Sequence, residues 1–204
     1  MIYNSQGEGV PKWLYNKYNI PYESRYDYGV NMKFPDYLNP IYKEKLTDFL
    51  NTLAGRYGDN EDIEIVDLRG YGEWGEWHSG HTYESYAKRS QALRSVIEIW
   101  SNAFKNTNKI LTLSCSYEWR NDRKLFTHAP HSYEEYLYWQ GFDYALSKPN
   151  ISFRRDGIGG AVKLWDSRLM QDFYFSDKKL PMICEFFINY TQGMTDEGTR
   201  GYHV

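Results

Sequence analysis

The stretch Ile63-Glu64-Ile65-Val66-Asp67-Leu68-Arg69-Gly70-Tyr71-Gly72-Glu73-Trp74-Gly75-Glu76-Trp77-His78 decides how the rest of the chain is to be arranged. Its first six residues predict a strand. The remainder gathers two carboxylates, two indoles and an imidazole where that strand runs into a loop. The glycines allow tight bends and leave the bulky side chains to point at something. Carboxylates supply acid, base or nucleophile in carbohydrate cleavage, and the flat face of Trp stacks on sugar rings.

Working outward, strand-like and helix-like segments alternate. Before the quoted stretch, Met1-Ile2-Tyr3 is a short apolar start, expected as a remnant of a third barrel strand. Val10-Pro11-Lys12-Trp13-Leu14 follows, then a long loop with Pro21, Pro35 and Pro40. Ile41 to Tyr57 carries Leu46, Phe49, Leu50, Leu53 and Tyr57 at nearly helical spacing, started by Asn39-Pro40. After the quoted stretch, Tyr83 to Phe104 predicts a helix with Ala87, Leu93, Val96, Ile97 and Trp100 in period. Lys109 to Cys115 predicts a strand, and Ser132 to Leu146 a helix with Ser132 and Glu135 as a capping box. Asn150 to Arg154 predicts a strand, Ala161 to Phe175 a helix and Leu180 to Phe187 a last strand.

Such alternation implies an α/β fold with a parallel sheet covered by helices. A doubly wound nucleotide-binding sheet should carry a Gly-rich fingerprint after its first strand, and none is present; Gly157-Ile158-Gly159-Gly160 lacks the spacing and the phosphate-binding Lys. A (β/α) barrel should instead collect polar and aromatic residues just after its strands. Glu73 to His78, Tyr117-Glu118-Trp119-Arg120, Arg154-Arg155-Asp156, and Glu185 with Asn189-Tyr190 do so. The expectation is a TIM (β/α)8-type barrel present as an incomplete fragment, about strands three to seven, with residues 1–204 as one partial catalytic domain. An open sheet of this kind leaves edges exposed.

Composition narrows the partners. The 204 residues carry a formal net charge of -3, which argues against nucleic acid or an anionic membrane. Aromatic residues make up 18% of the chain, with 20 Tyr and 7 Trp, at a mean hydropathy of -0.73. That surplus suits a carbohydrate partner, and also a protein interface. Cys115 and Cys184 lie in apolar strand-like runs outside any metal-ligand spacing, so both are expected to be small buried hydrophobes, and the compartment stays open. There is neither a signal-peptide pattern nor an apolar run near about 18 residues.

The residues Pro11-Lys12-Trp13-Leu14, Pro35-Asp36-Tyr37-Leu38-Asn39-Pro40, Leu53-Ala54-Gly55-Arg56-Tyr57-Gly58 and Gly72-Glu73-Trp74-Gly75-Glu76-Trp77-His78 resemble clan A glycoside hydrolases. More closely, they are similar to beta-galactosidase-like families and to bacterial barrels with a G-x-W-G-E-W-H loop. The resemblance covers nearly the whole chain, and Trp74-Gly75-Glu76-Trp77-His78 is its most specific part. Localisation stays undetermined, a bacterial secreted or periplasmic setting being compatible with the chain if a leader precedes it. The resemblance implies an acid/base Glu after the fourth strand, here Glu76 or Glu73, and a nucleophile after the seventh, here Glu185. Many members place Asn before the acid/base, whereas Gly72 and Gly75 stand there in this chain. Glu76 is favoured because the resembled loop carries its Glu at that position.

The expected activity is therefore hydrolysis of O-glycosidic bonds in an oligo- or polysaccharide, retaining configuration, with no cofactor. Trp74, Trp77, His78, Tyr117, Trp119, Arg155, Asp156 and Tyr190 are the candidate sugar contacts, while Trp139 falls in a helix and suits the core. Arg69, Arg120, Arg154 and Arg155 are the cations available to keep a nucleophile ionised. Each carboxylate also has a plainer reading as a solvated loop group, and Asp156 as a turn cap. A non-catalytic carbohydrate-binding barrel is the first alternative. A metal-dependent hydrolase using His78, His81 and a carboxylate is the second; it is disfavoured because His-x-x-His falls in a Gly-Ser loop without the helical H-E-x-x-H pattern, leaving no metal expected.

Overall fold

The computed structural model describes residues 10–27, 30–77, 80–114, 131–158 and 164–186. The first apolar segment forms helix α1 (Lys12–Tyr18), closed by Asn19 in the left-handed conformation. The following proline-bounded segment, expected as a loop, is an antiparallel hairpin of β1 (Tyr22–Asp27) and β2 (Val30–Pro35), with Tyr22 opposite Pro35 and Asp27 opposite Val30. Pro21 and Pro35 sit at the hairpin's open end, where a missing N–H costs least. Helix α2 (Pro40–Tyr57) begins as expected: Asn39 Oδ1 accepts from the backbone N–H groups of Ile41 and Tyr42, and Pro40 fills the first turn. Its buried face is Tyr42, Leu46, Leu50 and Ala54, while Phe49 is exposed.

From there the chain runs through β3 (Ile65–Leu68), α3 (Tyr86–Ala103), β4 (Ile110–Ser114), α4 (Tyr133–Gln140), α5 (Phe142–Leu146), β5 (Ile151–Ile158), α6 (Leu164–Tyr174) and β6 (Ile183–Phe186). The strands β3-β4-β5-β6 pair in sequence order, all parallel, as a curled half-barrel sheet. The single helix expected over 132–146 is broken at Gly141, whose φ of 68° ends α4 and starts α5. Ser132 caps α4 through Glu135 N–H, and the Glu135 carboxylate accepts from His131 N–H. Strand β5 extends past Arg154, so Arg155 and Asp156 belong to the strand and not to a loop after it. Met1-Ile2-Tyr3, expected as a strand remnant, and Cys115 lie outside the described residues. Cys184 is an exposed free thiol, contrary to the buried hydrophobe expected.

The two faces of the sheet differ. Register aligns Leu68 with Leu113 and Phe153, and Leu111 with Ile151; all five are fully buried in the core shared with Leu93, Ile97 and Phe142 of the helices. The alternate positions align Asp67, Thr112 and Ser152, then Ser114, Arg154 and Ile183. One face is thus apolar and helix-covered, while the other carries hydroxyl and charged groups toward the carboxyl ends of the strands. Barrel interiors filled only for packing use bulky branched residues in those positions.

The loop after β3 is clamped on both sides. Tyr42 Oη donates to Gly70 O at 3.3 Å, Gly72 N–H donates to Tyr37 Oη at 3.1 Å, and Trp100 Nε1 donates to Arg69 O at 2.9 Å. Tyr83 Oη accepts from Tyr37 N–H and donates to Asp36. Burial pushes the Tyr37, Tyr42 and Tyr83 hydroxyls above the usual phenol range, so they remain neutral. Much of the tyrosine surplus therefore sits in the core, with polar tips that hold loop backbone. Gly80 passes so close to Tyr71 that an added Cβ would lie 2.5 Å from the ring. Gly80→Ala is expected to cost about 1–3 kcal/mol, measured as a lower urea midpoint; an unchanged midpoint would show that this approach is not tight.

The hairpin holds the far end of the loop. Glu23 accepts from Thr82 N–H at 2.6 Å and Thr82 Oγ1 at 3.0 Å, while Arg25 donates to Gly80 O at 2.8 Å. Burial alone would raise the Glu23 carboxyl, but the two Thr82 bonds and the Arg25 charge outweigh it and hold it below its usual value of 4.5. A carboxyl depressed in the folded state stabilises above its unfolded value, and that contribution is lost as pH falls through the folded one. Stability should therefore fall on acidification below 4.5, and Glu23→Gln should flatten that part of the profile. Equal slopes in wild type and variant would contradict the assignment.

Candidate active site

At the carboxyl ends of β3, β4 and β5, Asp67, Arg69, Glu76, Thr112 and Arg154 form one network. Asp67 Oδ2 accepts from Arg69 Nε at 2.5 Å and lies 3.2 Å from Arg154 Nη1, while Oδ1 accepts from Thr112 Oγ1 at 3.2 Å. Glu76 Oε1 accepts from Arg69 Nη1 at 2.9 Å and from Arg154 Nη2 at 3.5 Å. Two guanidinium groups thus bridge two carboxylates contributed by a strand and by the loop after it. Burial acts to lower Arg69, but hydrogen bonds and charge from Glu76 and Asp67 more than offset this, and the guanidinium is held above its ordinary value. The Glu76 side chain is 23% exposed and that of Arg154 only 9%. Of Glu73 and Glu76, Glu76 is the one that solvent can reach.

The loop places its other residues differently from expectation. Glu73 opens a 3-10 turn (Glu73–Gly75) and is completely buried, sealed from any substrate in this arrangement. Trp77, expected as a sugar platform, is also completely buried: it packs 5.5 Å from the Tyr71 ring and donates from Nε1 to Gln140 O at 3.0 Å. Neither face of its indole is open, so its role is in packing. Trp139 is core, as expected, stacked on Tyr86 at 3.8 Å. His81 faces Phe34 O and the Tyr83 ring. Arg155 is half-buried in β5.

Glu185 stands in β6, two positions after Ile183, the register partner of Arg154. Trp74, Asp156 and Glu185 are described through their backbone alone, and His78, Tyr117, Trp119 and Tyr190 lie outside the described residues. The topology still brings β3 and β6 into one sheet, with both candidate carboxylate segments toward the carboxyl ends of its strands. Asp67 and Thr112 escaped the sequence reading as site residues. Their signal was an acid inside an apolar strand, matched at alternate positions of the next strands by Thr112, Ser114, Ser152 and Arg154.

Among the described residues no group of three His, Cys, Asp or Glu side chains is placed to hold a metal ion. No helix among them is long and apolar enough to cross a membrane. Comparison with protein-family models, with curated proteins and with solved structures found no match.

Proposed function

We propose that this chain forms the catalytic part of a (β/α)-barrel glycoside hydrolase that cleaves O-glycosidic bonds with carboxylates from the loop after β3 and from β6. The observation that carries the reading is the partly exposed Glu76 carboxylate, held by Arg69 and Arg154 over the polar row at the strand ends. Opposite charges within contact favour the ionised form of a carboxyl. Glu76 therefore serves as the anion that meets the developing positive charge of the sugar ring, as nucleophile or stabiliser. Glu185 is then the proton donor to the leaving oxygen. This exchanges the two roles that the clan A resemblance implies.

A carbohydrate-binding site without turnover is the second reading, favoured by the mutual neutralisation of Arg69, Arg154, Asp67 and Glu76. Incubation with a panel of aryl glycosides, with the anomer of the first-formed product followed by NMR, separates the two. Release of the aryl group with retained configuration supports the hydrolase. Binding of oligosaccharide without release of the aryl group supports the second reading and overturns the first.

A further inference from the structure

Glu76 is followed by the residue with the least expected backbone in the loop. Trp77 adopts a φ of 73°, although it is neither Gly nor Asn. Bulky residues persist in that conformation only where their surroundings over-determine it. The surroundings here are specific. Trp77 N–H donates to Tyr71 O at 3.0 Å, which closes the Glu73–Gly75 turn back onto the loop's entry. Its indole Nε1 donates to Gln140 O, the last carbonyl of α4.

The end of a helix leaves carbonyls without partners in the helix, and the last three of α4 receive side-chain donors from outside, Tyr138 O in addition to the Gly141 N–H. Ser90 Oγ donates to Tyr138 O at 2.7 Å, Arg89 Nη1 to Trp139 O at 2.6 Å, and Trp77 to Gln140 O at 3.0 Å. Ser90 and Arg89 belong to α3 and fix α4 to it, and Trp77 joins that α3–α4 layer to the Glu76 loop. With Gly70 and Gly72 held by Tyr42 and Tyr37, Glu76 lies between fixed points on both sides.

We propose that Trp77 is a positioning residue for the Glu76 carboxylate, acting through its indole bond to the Gln140 carbonyl and its left-handed backbone. The inference rests on Glu76 being the anionic group of the proposed site. It assigns to this tryptophan the orientation of a neighbour instead of contact with sugar.

The test replaces Trp77 with 3-benzothienylalanine, which keeps the bicyclic shape and puts sulfur in place of the N–H. Trp77→Phe is the second variant, and Phe104→Leu, a truncation elsewhere in the same core, controls for lost stability. The titration of Glu76 is followed by its side-chain carboxyl ¹³C resonance, and kcat and KM are measured with an aryl glycoside. In both Trp77 variants the Glu76 midpoint is expected to move by about half a pH unit or more. Over the same variants kcat should fall roughly tenfold to a hundredfold, with KM within about twofold. Phe104→Leu should leave the titration where it was. A folded benzothienyl variant whose Glu76 titrates as in wild type overturns the proposal, as does an equal shift in Phe104→Leu. If wild type turns over none of the glycosides, the functional reading fails, and the carboxyl titration alone still decides whether Trp77 positions Glu76.

Discussion

Glu76→Gln is expected to lower kcat/KM on aryl glycosides about a thousandfold, equivalent to about 4 kcal/mol of transition-state stabilisation. The loss should be nearly the same for a dinitrophenyl and for a plain phenyl leaving group. An anion facing the sugar ring is needed whatever departs, whereas a proton donor is dispensable when the leaving group is already acidic. The amide keeps the shape of the carboxylate, and Asp67 still pairs with both Arg69 and Arg154, so the fold should survive. Glu185→Gln should show the opposite pattern, crippling the phenyl substrate and sparing the dinitrophenyl one. Should Glu76→Gln spare the dinitrophenyl substrate, Glu76 is the acid, and the role drawn from its two guanidinium partners is wrong. Retention of full activity on both substrates would remove Glu76 from the chemistry altogether.

Long helices and the order of elements were legible because they follow from period and capping. Asn39-Pro40 made the backbone bonds that its sequence implied, and Ser132 capped Glu135 N–H while the Glu135 carboxylate took the N–H of His131, one residue before the cap. The hairpin over 22–35 was not legible, because β1 sets Glu23 and Arg25 opposite Phe34 and Met32, so the alternation of Met32 and Phe34 with Asn31 and Lys33 has no apolar partner strand. Those two charged residues bond instead to Thr82 and Gly80, far along the chain. Periodicity also could not separate the two faces of α2, where Phe49 shares the helical spacing of Leu46 and Leu50 yet faces water.

The candidate site divides along the same line. Glu76 stood out as an acid between glycines and tryptophans, and the structure places it at the strand ends with two of the arginines that the sequence had offered as cations. Trp77 carried the same signal and is core. What decides between the two is the left-handed turn at Trp77 and the carbonyl of Gln140, 63 positions further along the chain, and no local pattern encodes that meeting. Asp67 was hidden for the converse reason: a single acid in a strand gains meaning only when register sets Thr112 and the row of Arg154 beside it.

Arg154→Met should test whether that register-built network also holds the sheet together. Arg154 spans β5 to β3 and to the Glu76 loop, with its side chain 9% exposed against 30% for Asp67 and 23% for Glu76. Removing one partner of a buried ion pair costs about 3–5 kcal/mol because the other charge stays behind without compensation. Solvent reaches both carboxylates here and Arg69 remains with them, so a loss of roughly 2–3 kcal/mol is expected. For a chain of this size that lowers Tm by about 4–12 °C. Met fills much of the space of the arginine stem, so the loss reports charge more than volume. Asp67→Asn added to Arg154→Met should then cost less than the two changes apart, since the charge left stranded by the first is removed by the second. Additive losses in that cycle, or a stability loss below about 1 kcal/mol for Arg154→Met alone, would mean that the arginine serves the site and not the sheet. In that case the polar row at the strand ends is held by its backbone register, and its charges are free to be spent on substrate.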